Sequence, residues 1–140
     1  MFPHRRRRRH AWTFAHTWAG KYLTHNGTLG ENPNGAQCVN VPNGFWATLG
    51  VPAVVGNASE WAGYQDGHRT WLPWSSELAP VVGDCVVFRV GVADPDGHVA
   101  LVLDGTKTPP FSLMQNYPTG CPVQLCELLQ IGVEGIIRLR

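Results

Sequence analysis

The sequence predicts an α+β domain in which N-terminal helices pack on a small antiparallel β-sheet. Apolar residues recur at helical spacing through the first fifty positions, whereas from residue 80 onward short β-branched runs alternate with turn residues. The size agrees: 140 residues, 44% hydrophobic and 15% charged, suit one packed domain and argue against a disordered chain.

Residues 1–10 read as a flexible basic arm and residues 11–140 as a single domain. Trp12, Ala15, Trp18, Ala19 and Tyr22 or Leu23 share one face of a helix expected over 11–24. Residues 25–36, rich in Asn and Gly, form a loop. A second helix is expected over 38–49, with Gly50 as its stop and Pro42 within the first turn, where a missing N–H costs nothing. Asn57 and Glu60 have the spacing of a capping box on a short helix. Strands are expected over 85–90, 98–103, 111–117 and 135–139, with a turn at Asp94-Pro95-Asp96-Gly97 between the first two.

Charge is segregated along the chain. Five of eleven basic residues are the arginines at 5–9, which leaves six basic against ten acidic groups elsewhere, a balance of −4. That distribution disfavours a nucleic-acid-binding domain, whose positive charge spreads over a folded face. No apolar run is long enough for a transmembrane helix, and the first residues lack the apolar middle of a secretory signal. The four cysteines show no Cys-x-x-Cys spacing for zinc. Cys85 sits in an apolar run and reads as core, and Cys121 and Cys126 are near one another in sequence. Cys38 differs, because a polar loop precedes it and a helix follows.

A thiol hydrolase needs a thiolate, a base and a group that orients the base. A helix N-terminus lowers a thiol pKa and so suits Cys38 as nucleophile. His98 opens an apolar strand and can face a cleft as the base. Asn116, further along, can fix the imidazole tautomer through its amide oxygen. The order Cys, His, Asn follows the logic of papain-type thiol proteases.

The segments Gly35-Ala36-Gln37-Cys38-Val39-Asn40, Gly56-Asn57-Ala58-Ser59-Glu60-Trp61, Gly83-Asp84-Cys85-Val86-Val87-Phe88, Gly97-His98-Val99-Ala100-Leu101-Val102 and Gln115-Asn116 resemble the cysteine, histidine-dependent amidohydrolase/peptidase (CHAP) family over about residues 12–140. The resemblance implies a papain-like fold and hydrolysis of a peptidoglycan amide bond, with Cys38 as nucleophile, His98 as base and Asn116 as orienter. The backbone N–H of Cys38, with Gln37, would hold the oxyanion. Many members carry Glu two residues before the Asn, where this chain has Met114; Asp104 is a substitute acid. Calcium-binding members carry Asp two residues after the nucleophile, where this chain has Asn40, with Glu31, Asn32 and Asn34 nearby; no cofactor or metal is expected, with calcium as the lesser alternative.

Trp61, Trp71 and Trp74 are candidates to line a substrate groove. His68 reads as an exposed loop residue. The expected substrate is bacterial peptidoglycan, reached by a phage lysin or a phage tail-associated hydrolase, with other tail proteins as further partners and no specific nucleic acid. Expected locations are a phage virion tail or the host cytoplasm or periplasm. The alternatives are a tail-tip or hub structural protein with a weak or inactive CHAP fold, and a thiol peptidase acting on a non-wall substrate. The arginine arm would dock on an anionic wall polymer, a membrane surface or an acidic virion partner.

Overall fold

The structure is a computed structural model that describes residues 4–91, 96–128 and 130–140. Helix α1 spans His4–Trp18 and helix α2 spans Asn40–Thr48, with short 3₁₀ turns at Gly27–Leu29 and Ala58–Glu60. Six strands follow: β1 (Arg69–Pro73), β2 (Cys85–Phe88), β3 (His98–Asp104), β4 (Phe111–Met114), β5 (Gln124–Glu127) and β6 (Val133–Leu139). They form one sheet in the order β1-β6-β2-β3-β4-β5, with every neighbouring pair antiparallel. The expected α+β architecture is present.

Helix α1 starts earlier than expected, and it includes the arginines at 5–9 of the expected arm. Arginine has good helix propensity, and Ala11, Phe14 and Ala15 anchor the next turns in the core. Burial pushes the Asp84 carboxyl up, and Arg138, the Val81 N–H and, least of these, the half-buried Arg7 of α1 oppose that rise. The helix ends at Trp18, before Gly20 at φ 81°, rather than running on to residue 24. Met1, Phe2 and Pro3 of the expected arm lie outside the described residues, as do Asp94 and Pro95 of the expected turn.

In α2, Pro42 is the third residue, so its absent N–H falls among the donors that have no helical partner. The turn at Ala58–Glu60 carries the expected cap, with Asn57 N–H donating to Glu60 Oε1 at 3.2 Å. Strands β1 and β5 were not expected. They are the two edges of the sheet, and β1 gains its place by pairing with β6 from Arg69↔Leu139 to Pro73↔Gly135.

The sheet is buried on both faces. Strand β3 shows this most plainly: Val99, Leu101 and Leu103 face the helices with Val41, Phe45 and Trp46, whereas Ala100 and Val102 join Val86, Phe88, Met114 and Ile136 on the opposite side. Period-two alternation with both faces apolar explains why this strand reads as one hydrophobic run. It also makes β3 a rigid mount for the residue at its start, His98.

Candidate active site

A cleft of about 940 Å³ opens between the loop before α2, the 3₁₀ turn after residue 57 and the start of β3. Cys38 and His98 both line it, together with Gln37, Asn57, Asp96 and Asn116. The expected nucleophile, base and orienter therefore meet in one concavity although they are far apart in sequence.

Cys38 lies just ahead of α2, not inside it. Its carbonyl accepts Val41 N–H at 3.2 Å and the Gln37 carbonyl accepts Asn40 N–H at 3.1 Å, so the loop winds directly into the helix. The sulfur is thus near the positive end of the helix dipole, which favours a thiolate. Cys85 is fully buried, and burial pushes its thiol well above the ordinary value, with Cys38 adding to the rise. Of these two neighbouring thiols, only Cys38 faces the cleft.

His98 pairs in register with Phe88 of β2 and is 1% exposed. Its ring lies between Phe88, at 5.4 Å between centroids, and Tyr117, at 5.1 Å. Gly97 makes this placement possible. It has φ 86°, and a Cβ there would fall 2.6 Å from the backbone nitrogen of Ser59, so only glycine lets β3 begin this close to the 3₁₀ turn.

Asn116 adopts φ 63°, a left-handed conformation that asparagine tolerates better than most residues. Its Oδ1 accepts Gly120 N–H at 2.8 Å and its Nδ2 donates to Gln37 Oε1 at 3.3 Å. Gln37 Nε2 in turn donates to the Asn34 carbonyl at 2.9 Å. The amide expected to orient His98 is therefore bonded to the loop that carries the nucleophile. Asp104, the substitute acid, sits at the far end of β3, six residues or about 20 Å along the strand from His98. Its carboxylate accepts both the N–H and the hydroxyl of Thr106, so it cannot serve the imidazole.

The three tryptophans do not form a groove. Trp61 is fully buried, stacked on Trp46 at 5.9 Å, with its Nε1–H donating to the Gly56 carbonyl. Trp71 packs toward the helices and Trp74 toward the opposite face of the sheet, because they are an odd number of residues apart at the β1 end. Beneath Trp46 lies Arg69, also fully buried, its guanidinium 4.3 Å from the ring centroid and paired with Asp66 at 2.7 Å. These aromatic residues build the core. His68 is exposed, as expected.

The sequence matches the CHAP domain over residues 27–109, more than half of the chain. The chain belongs to the CHAP domain family. No curated protein matches it. Solved structures similar in fold include these two. The wild-type endolysin LysIME-EF1 is 20% identical, with a TM-score of 0.69 over 94% of this chain and 63% of that one. Ly7917 with the hydrolyzing product of MDP is 16% identical, with a TM-score of 0.62 over 94% and 62%. The chain thus spans less than two thirds of the length of either.

Within this CHAP domain, Asn40 occupies the position where calcium-binding members have Asp. It is fully buried, and its Nδ2 donates to the carbonyls of Leu23 and Gly35, each at 2.8 Å. Its Oδ1 accepts from Asn32 Nδ2 at 2.9 Å. An amide NH₂ group, a hydrogen-bond donor rather than a ligand for a hard cation, thus sits between two carbonyl oxygens. Among the described residues, no group of three or more His, Cys, Asp or Glu could hold a metal ion. This donor set does not fit calcium.

Gln115 has a role that its place in the sequence does not show. It is fully buried and bonds both backbone groups of Leu23 as well as the carbonyl of Gln37. The pair Gln115-Asn116 was visible as a motif, but nothing in a linear sequence shows that a glutamine near residue 115 reaches the loop at 37.

Proposed function

We propose that the protein is a peptidoglycan hydrolase that cuts an amide bond through the Cys38 thiolate, with His98 as general acid and base. The observation that carries this reading is the meeting of Cys38 and His98 in one polar cleft, at a helix entry and a strand start respectively. Membership of the CHAP family supports the reaction class, and the fold shared with an endolysin supports the wall as substrate.

Cys38 sulfur would attack the amide carbon, moving the carbonyl π electrons onto oxygen. As the C=O re-forms, the C–N bond breaks and the amine departs with the proton from His98. Water, deprotonated by His98, then adds to the thioester, and the acid leaves as Cys38 thiolate re-forms. The backbone N–H of Cys38 would hold the oxyanion in both steps. No step of the proposed mechanism uses a cation.

Action on a bacterial wall during phage entry or release is part of this proposal. Among the described residues, no helix is long and apolar enough to cross a membrane. One observation favours the second reading, a tail structural component of low activity. Met114 is buried in the apolar cluster on the sheet face that also carries Phe88, so no carboxylate enters His98's surroundings from the position where many members carry Glu.

The deciding experiment is mass spectrometry of purified sacculi after digestion by the wild type and by Cys38→Ala. New amine and carboxyl termini released by the wild type alone establish the hydrolase and identify the bond. Intact sacculi with the folded wild type leave the structural reading.

A further inference from the structure

Gln115 stands just beyond β4 and is fully buried, yet every polar group on its side chain is used. Its Oε1 accepts Leu23 N–H at 2.7 Å, and its Nε2 donates to the Leu23 carbonyl at 2.9 Å and to the Gln37 carbonyl at 2.8 Å. The Gln37 carbonyl also accepts Asn40 N–H at 3.1 Å. Two donors, one from the β4 end and one from α2, therefore pin a single carbonyl immediately before Cys38.

That carbonyl belongs to the peptide unit whose N–H is on Cys38. The unit is trans, both cis bonds among the described residues preceding prolines elsewhere. In a planar trans peptide, C=O and N–H point in opposite directions. Holding the Gln37 oxygen toward the buried amide of Gln115 turns the Cys38 N–H to the other side, where Cys38 lines the cleft. Were the peptide to rotate, a carbonyl dipole would face the developing negative charge instead of a donor.

We propose that Gln115 is a positioning residue for the oxyanion-binding peptide, acting through the Gln37–Cys38 unit without touching substrate. The proposal rests on the thiol-hydrolase reading of Cys38. It separates Gln115 from Asn116. Asn116 braces the Gln37 side chain, whereas Gln115 fixes the Gln37 backbone, and only the latter sets the direction of the Cys38 N–H.

The test compares two reactions of the same sulfur. Amide hydrolysis passes through an oxyanion. Alkylation by iodoacetamide does not: sulfur attacks a saturated carbon and iodide leaves. Gln115→Met keeps the side-chain length and removes both donors; Gln115→Glu keeps the acceptor for Leu23 N–H and removes the amide donors at neutral pH.

Hydrolysis of soluble wall fragments by each variant is expected to lose about 100-fold in kcat, the scale of one oxyanion donor, with KM changed less than about twofold. Alkylation of Cys38, read by peptide mass mapping against Cys38→Ala, is expected to stay within about twofold of the wild type. Equal loss in both reactions, or loss of the folded circular-dichroism spectrum by both variants, reduces Gln115 to a structural residue and overturns the proposal. Unchanged hydrolysis overturns it as well. If the wild type alkylates at Cys38 but hydrolyses no wall fragment, the hydrolase reading fails, a result distinct from either of these.

Discussion

The imidazole of His98 lies against the ring of Tyr117, with centroids 5.1 Å apart and planes inclined at 42°. The ring of Phe88 is also in contact, at 5.4 Å between centroids. Aromatic packing of this kind helps hold the histidine at the mouth of β3. Tyr117→Phe keeps the ring and is expected to keep kcat. Tyr117→Ala opens one wall and should cost about tenfold in kcat through misplacement of the base, since small errors in geometry are expensive in catalysis. Steady-state kinetics on soluble wall fragments distinguish the two.

The backbone of Asn116 gives a prediction that separates conformation from hydrogen bonding. At φ 63° a Cβ is strained, whereas glycine is not. Asn116→Gly and Asn116→Ala both lose the bonds to Gln37 and Gly120, but only the alanine variant keeps a Cβ in the left-handed region. The alanine variant should be the less stable by about 1 kcal/mol, read as a lower midpoint in urea. Equal midpoints would show that the segment relaxes out of the left-handed region.

Much of this site was legible because it is built at element boundaries, and boundaries have sequence signatures. The polar loop ending at Cys38, Pro42 in the first turn of α2, and Gly97 before the apolar run of β3 each mark a place by local chemistry. What could not be read depends on partners distant in sequence. β1 is a strand because Trp71 and Leu72 pair with Ile137 and Ile136 of β6; the segment ends in proline and shows no alternation of its own. Trp61 is a core residue because it stacks on Trp46, whose ring in turn lies over Arg69, and no local signal shows those partners. The arginines at 5–9 look like a loose tail in composition, and become helix because the core residues that follow them hold the helix in place.

Asp66 links the core to pH. Burial pushes its carboxyl up, but the His68 N–H, the Tyr64 hydroxyl and the Arg69 guanidinium outweigh that, and it sits below its ordinary value of 3.8. A carboxyl whose pKa is lowered on folding contributes stability above the unfolded value, and that stability is lost as pH falls through the folded one. Asp66→Asn leaves the fully buried Arg69 charge uncompensated, so at pH 7 it should destabilise by about 3 kcal/mol. The gap between the variant and the wild type should close below pH 3.8, toward the lowered folded value. Thermal melts from pH 7 down to strongly acid conditions would show convergence; a constant offset would contradict the linkage.

The helical arginines change how their role is tested. Deleting residues 1–10 would cut into α1 and remove Arg7, which bears on Asp84, so loss of activity after truncation would be uninformative. Arg5 and Arg9 are exposed on the same helix and can be altered singly. Arg5→Glu with Arg9→Glu should reduce retention on purified sacculi at low salt by at least about tenfold, an effect that fades as salt screens the charges. Hydrolysis of soluble fragments should not change, because neither residue lines the cleft. A parallel loss on soluble substrate would place the arginines in the catalytic fold rather than in wall attachment.

Asn40 supports the strongest statement about metals. Its Nδ2 donates to the carbonyls of Leu23 and Gly35, so a neutral amide occupies the space between those two oxygens. Treating the wild type with EDTA should therefore leave both activity and melting temperature unchanged. Asn40→Asp replaces that donor with a carboxylate two residues from the nucleophile, so the Gly35 oxygen loses its side-chain donor, the Leu23 oxygen keeps only Gln115 Nε2, and a buried negative charge joins them. The variant should lose about 2–3 kcal/mol, the cost of unpaired buried polar groups. The same three oxygen sources, with Asn32 beside them, are ligands of the kind calcium prefers, so millimolar calcium should restore part of the lost melting temperature in Asn40→Asp and none in the wild type. A wild type that melts lower in EDTA, or a variant indifferent to calcium, would show that the Asn40 amide does not stand in for an ion.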